Sequence, residues 1–270
     1  MAKRQNYLNN KELLKEIHKS KVSYSSFTRP EYAHYDGICQ TRDEVTPEFI
    51  EKVKHDKAKK ETKEWKQELR DEGVKAPKVS VEPEEIETAG LIIRVMEHDH
   101  VPFDETRARR AKKPLDEKVK CVFPPFKHYY VHSDLTLEEV GRSHWEGSLS
   151  NGHFNQEHGQ MTNRLASMCM QLVERYGQRG NWRGYTYLDE MKSQALFQLA
   201  QIALQFDESR SETPNPFAYY TAAITNSFTR VLNLEKKNQN IRDDILQMND
   251  ISPSYTRQVE DSMNTGNDKK

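Results

Sequence analysis

Long hydrophobic runs are missing from this 270-residue chain. No stretch approaches the roughly 18 consecutive apolar residues of a membrane helix, and residues 1–10 hold no apolar signal-peptide core, so the sequence reads as a soluble, non-secreted protein. Cysteine is scarce. Cys39, Cys121 and Cys169 lie far apart with no C-x-x-C pair, which argues against a disulfide framework or a zinc cluster and fits a reducing cytoplasm. An excess of either charge is also lacking: 41 basic residues face 42 acidic ones, so any DNA contact has to come from a local face. Apolar residues make up 35% of the chain, below the roughly 45–50% of globular domains, and charged residues reach 31%, so a sizeable part must be solvated. No P-loop, G-x-S-x-G or dinucleotide-binding glycine pattern appears.

What is present divides into four stretches. Residues 1–21 predict a short helix, with Asn9 or Asn10 as cap and Leu13, Leu14 and Ile17 on one face. Residues 22–160 form a charged insert. Within it, residues 22–47 have no clear period and read as loop. Residues 47–72 predict a helix, because Thr46 can cap it, Pro47 suits the first helical position and Gly73 terminates it. The run HDKAKKETKEWKQE in that helix reads as a solvated face, in preference to a nucleic-acid contact, because its acids offset its bases. Pro77 and Pro83 mark a linker. The β-prone runs LIIRV at 91–95 and VKCVF at 119–123 flank a basic RARRAKK at 107–113 and leave room for a small β element. Residues 135–145 predict another helix, and the Gly/Ser/Asn/His stretch at 147–159 a flexible connection.

Residues 161–237 carry the strongest pattern. Leu165, Met168, Cys169, Leu172 and Tyr176 recur at steps of three and four, and Gly177 ends the run as a helix C-cap should. Met191, Ala195, Leu199, Ile202 and Phe206 repeat the period in a second helix. Asn215-Pro216 can start a third, reaching about Lys237. That helix has two stripes: Phe217, Tyr220, Ile224, Phe228 and Val231 for the core, and Tyr219, Ala223, Asn226, Arg230, Asn233 and Lys237 outside. The outer stripe joins an aromatic ring to cations and so can meet phosphates and unstacked bases, although an ordinary solvated face has the same spacing. Residues 238–270 read as a polar, flexible tail. The fold class expected is mainly α: a three-helix bundle in the C-terminal half behind a charged helical and irregular N-terminal half.

The sequence YLDEMKSQALFQLAQIALQFD, a proline turn and then NPFAYYTAAITNSFTRVLNLEKK, preceded by a helix ending in Tyr-Gly and an aromatic-Gly loop, resembles region 2 of bacterial sigma factors. It is most similar to the late-transcription sigma factors of T-even-type bacteriophages, and NYLNNKELLKEI near the N-terminus is similar as well. The resemblance covers under half of the chain. It implies a protein that binds the clamp helices of the bacterial host's core RNA polymerase, in the cytoplasm of the infected cell, and directs initiation at A·T-rich −10-like late promoters. It implies no enzyme activity, cofactor, metal or membrane partner. Glu190, Met191, Ser193 and Gln194 fall at the family's polymerase-contact positions; Phe217, Tyr219, Tyr220, Asn226, Arg230, Lys236 and Lys237 fall on the DNA-reading helix. Ala223 and Ile224 stand where housekeeping sigmas carry tandem tryptophans, which implies promoters that open easily. A phage co-activator is a further partner the family allows, whereas the ending DSMNTGNDKK lacks the family's clamp-binding peptide and puts a sliding-clamp partner in doubt.

Two other readings compete. A polymerase- or nucleic-acid-binding adaptor without promoter specificity would use the same helices but has no need of Phe217, Tyr219 or Tyr220 beside Arg230. A metalloenzyme would start from MEHDH, with Glu97, His98, Asp99 and His100, yet no recognisable spacing supplies a third ligand.

Overall fold

The computed structural model describes residues 8–71, 77, 80–102 and 121–267. The basic run at 107–113 and the start of VKCVF lie outside the described residues. The chain forms two compact units, one built from Asn9–Leu165 with Ala203–Pro216, the other from Ala166–Ile202 with the chain from Phe217 onward.

The first unit is built on a five-stranded mixed sheet of order β1-β5-β4-β3-β2, comprising β1 (Ser25–Phe27), β2 (Gly37–Cys39), β3 (Ile92–Val95), β4 (Lys127–Val131) and β5 (Leu137–Ser143). Only the β2/β3 pair is parallel. A two-stranded ribbon, β6 (Trp145–Glu146) with β7 (His153–Phe154), follows where the sequence predicts a flexible connection. The expected mainly α fold is therefore corrected: the structure is 55% helical, but it carries a substantial sheet and is not a clear three-helix bundle.

The LIIRV run becomes β3, near the middle of the sheet and buried along its whole length. That is why it is almost continuously apolar. Ile93 and Val95, with Tyr129 and Val131 of β4, pack against Ile50, Val53 and Ala58 of α2 (Pro47–Asp71). Gly37 on β2 lets that helix come close, since a Cβ there would sit 2.6 Å from Val53 Cγ2. The alternate β3 residues Ile92 and Arg94 point to the opposite face, where Arg94 bonds His18 of α1 (Asn10–Val22). Asn9 caps α1 by accepting from the Lys11 amide.

The helix predicted at 135–145 is strand β5. The Leu/Glu composition favours a helix, but Leu135 adopts φ +64° in a turn that Asp134 closes by accepting from the Thr136 amide and hydroxyl. Pairing with β4 on one side and β1 on the other then overrides propensity.

The second unit is helical: α3 (Asn163–Gly177), α4 (Leu188–Ile202), α5 (Pro216–Met248) and α6 (Tyr255–Asn267). The predicted apolar stripes are buried in Met168, Cys169, Leu172 and Tyr176 of α3, Met191, Ala195 and Leu199 of α4, and Tyr220, Ile224, Phe228 and Val231 of α5. Trp182, from the α3–α4 connection, completes an aromatic cluster with Tyr176 and Phe228, the ring centroids lying 5.1–6.0 Å apart. Past Lys237, where the sequence predicts a flexible tail, α5 continues for three more turns because no glycine or proline stops it before Pro253. Asp243 accepts hydrogen bonds from the Ser254 amide and hydroxyl at 2.8 and 2.7 Å, which fixes the turn into α6.

Candidate nucleic-acid interface

Between α4 and α5 runs a groove of about 380 Å³ lined by Gln194, Gln198 and Ile202 on one side and Tyr219, Ala222, Ala223, Asn226, Ser227 and Arg230 on the other. Helical spacing explains the alignment. Tyr219, Ala223, Asn226 and Arg230 follow at steps of four, three and four, so their side chains share one face of α5, directly beside the buried face that holds Tyr220, Ile224 and Phe228. Ala222 and Ala223 leave room where larger residues would fill the groove.

The chemistry of this lining is mixed and directional. Asn226 and the two glutamines each offer donors and an acceptor, Arg230 is exposed and ion-paired to no described residue, and Tyr219 is partly buried along the groove. Ser227 is buried, and among the described residues its hydroxyl has no hydrogen-bond partner. Orphaned buried hydroxyls are uncommon because losing water without a replacement costs roughly 1–3 kcal/mol. The hydroxyl borders the groove, where a water or a ligand atom can partner it.

The predicted residues separate on inspection. Tyr219, Asn226, Arg230 and Gln194 come together in the groove. Tyr220 is wholly buried, so it supports the groove from below and cannot stack on a base; Tyr219, whose ring centroid is 5.6 Å from it, is the ring within reach. Phe217, predicted for the core stripe, is instead 38% exposed at the start of α5. Lys236 and Lys237 are exposed farther along the helix and do not line the groove. On α4, Glu190 and Ser193 are exposed, whereas Met191 is fully buried and cannot itself meet a partner. The same outer face carries Phe197, 58% exposed, which sequence reasoning missed. The signal was there: Phe197 falls off the Met191/Ala195/Leu199 stripe, so an aromatic ring had to point outward.

A second cluster lies in the sheet-bearing unit. Arg94, 1% exposed, is held between the rings of Tyr35 and Phe126 at 4.0 and 3.9 Å. Its guanidinium donates to Glu208 Oε2 at 2.9 Å, to His128 Nε2 at 3.0 Å and to His18 Nδ1 at 3.0 Å. Both imidazoles must therefore be neutral to accept. His128 keeps its proton on Nδ1 and donates it to the Tyr32 carbonyl at 2.7 Å. Lys21 donates to Glu208 Oε1 and to the Phe206 carbonyl, at 3.2 and 2.7 Å. Burial, then the Arg94 charge, pushes His18 down to about 3 and His128 well below its ordinary range. Glu208 lies below its ordinary value: burial acts to raise it, and the charges of Lys21 and Arg94 overcome that. Every charged member is almost closed to solvent, so the cluster is a pinned structural core, with no reactive atom offered to a substrate.

In MEHDH, Glu97, Asp99 and His100 are engaged by neighbouring side chains and backbone. Glu97 binds Arg42 and Tyr129, Asp99 binds Lys127, and His100 donates from Nε2 to the Ser143 carbonyl. Among the described residues, no three His, Cys, Asp or Glu side chains are arranged to hold a metal ion. Among the described residues, no helix is long and apolar enough to cross a membrane. Comparison of the chain with protein-family models, curated proteins and solved structures found no match.

Proposed function

We propose that the protein is a sigma-type initiation factor that binds the host's core RNA polymerase and holds an unstacked base of an A·T-rich −10-like promoter in the α4–α5 groove. The observation that carries the reading is the groove itself: an aromatic face, amide side chains, a cation and an unpartnered buried hydroxyl converge on one space. Asn and Gln amides match the donor–acceptor edge of adenine, and a tyrosine ring returns about 1–3 kcal/mol on stacking a base. That offsets the few kcal/mol that extrusion costs, which is least at flexible A·T-rich steps. Arg230 at the groove's edge can hold the adjoining phosphate.

The outer face of α4, with Glu190, Ser193 and the exposed Phe197, is the candidate polymerase contact. An exposed aromatic ring such as Phe197 is the kind of side chain enriched at interfaces, and Glu190 shares its face. The two faces predict separable defects. Tyr219→Ala and Arg230→Ala should lower open-complex formation on a −10-like template about tenfold while leaving core-polymerase binding within twofold, estimates that follow from the stacking energy. Glu190→Lys with Phe197→Ala should do the reverse in a co-sedimentation assay. If both pairs impair the same step equally, the assignment of faces is wrong.

A further inference from the structure

In the sheet-bearing unit, α2 sorts its charges onto opposite faces. Lys59, Lys63, Lys66 and Arg70 follow at steps of four, three and four. At 100° per residue they fall within roughly 60° of arc, while Glu61, Glu64 and Glu68 are centred roughly 170° away. The acids therefore do not neutralise the bases across one surface, as the composition of the run implies. Glu64 instead pairs with Lys11 of α1 at 3.6 Å, and Lys59 has a loose contact with Asp56 at 3.7 Å. Lys63, Lys66 and Arg70 are ion-paired to no described residue.

The cationic stripe lines a groove of about 520 Å³, whose other wall is Ser80, Val81, Glu82 and Pro83, fixed to the helix by the Val81 amide donating to Thr62 Oγ1 at 2.9 Å. Four permanent cations face one acid, Glu82, in that lining. We propose that this face of α2 is a sequence-independent docking surface for the sugar-phosphate backbone of duplex DNA. From Lys59 to Arg70 the stripe runs roughly 16 Å along the helix axis, long enough for its four cations to meet several phosphates of a duplex that carries one charge per about 1.7 Å of its axis. A line of point charges without fixed acceptor geometry matches a uniform polyanion and carries no base readout. The surface supplies a local positive field to a chain whose net charge is −1. The choice of DNA over an acidic protein rests on the promoter reading above; the stripe itself does not.

The test uses the full-length protein, a short labelled random-sequence duplex and no polymerase, with affinity measured across a salt series. The combined variant Lys59→Gln, Lys63→Gln, Lys66→Gln, Arg70→Gln should bind at least tenfold more weakly at low salt. Its log–log salt slope should be shallower by about 3–4, since each neutralised phosphate contributes about 0.9. Replacing the three lysines by arginine should preserve both values, which separates charge from folding. Glu61→Gln, Glu64→Gln, Glu68→Gln raises net charge by nearly as much and should leave the slope unchanged. The proposal is overturned if the wild type does not bind the duplex, if the glutamine variant binds like wild type, if the acid-face variant shifts the slope equally, or if a polyglutamate peptide and not DNA depends on the stripe. Start-site-specific transcription is a separate readout, whose loss would count against the initiation reading while duplex binding stands.

Discussion

Arg94 shows how much one residue can organise. A buried guanidinium is tolerable only when its donors and charge are met, and here a carboxylate, two neutral imidazoles and two aromatic faces meet them. Glu208 balances both Arg94 and Lys21, so Glu208→Ala should destabilise the sheet-bearing unit by about 3–5 kcal/mol, read as a fall in the urea midpoint. A loss below about 1 kcal/mol would mean that solvent reaches the cluster. Acid should act through the histidines. Burial, chiefly, pushes His18 and His144 down from an ordinary 6.5 to about 3, so both stay neutral when folded. The unfolded chain binds protons below pH 6.5 and the folded one does not. Stability is therefore full above that value and falls as pH drops toward about 3, by about 1.4 kcal/mol per pH unit for each such histidine. Glu208, held below its ordinary 4.5, adds to the loss only as pH falls through its own lower range. Denaturation midpoints that stay level from pH 7 to pH 5 would contradict this. None of the pairing was legible beforehand: LIIRV reads as a strand with one odd arginine, and its carboxylate partner stands 114 residues away.

At the scale of elements, what could be read was what is local. The caps and periodicity around Asn9, Pro47, Gly177 and Pro216 located α1 to α5, because those signals act within one or two turns. Strand β5 was misread because its conformation is imposed by two neighbouring strands. Its Gly141 shows this most clearly. A Cβ there would come within 2.2 Å of the Phe27 ring on β1, which itself packs on His128 of β4. The glycine thus fits an aromatic ring laid across it, not a helix interrupted. Gly141→Ala should cost about 1–3 kcal/mol by displacing that ring, measurable as a lower melting temperature, whereas Gly180→Ala, which meets no atom within 4 Å, should cost little. Equal effects would show that the β1 edge adapts freely. The α4–α5 groove was half legible. The outer stripe of Tyr219, Asn226 and Arg230 was visible as a pattern, but the depth that buries Tyr220 and Ser227, and brings Gln194 and Gln198 opposite, depends on how two helices meet.

For the whole molecule, the division into units differs from the reading along the chain. The segment Ala203–Pro216, inside the stretch that the sequence predicts as one helical domain, belongs to the sheet-bearing unit and delivers Glu208 to Arg94 and Lys21. A fragment ending at residue 160 should therefore lack a cooperative unfolding transition, because two buried cations lose their counter-charge; a sharp two-state transition in that fragment would show that the segment is dispensable. The chain's near-neutral charge conceals a cationic face, Lys59 to Arg70 on α2, which the helix turns away from Glu61, Glu64 and Glu68, and a single exposed cation, Arg230, at the groove. The central proposal is that the protein is a promoter-binding initiation factor. The most direct measurement is run-off transcription by bacterial core RNA polymerase with the purified full-length protein on a linear template bearing one A·T-rich −10-like element. The account predicts a transcript with a single start site, present only when the protein is added and reduced about tenfold or more by Tyr219→Ala. A core polymerase that binds the protein yet yields no start-site-specific transcript would contradict it.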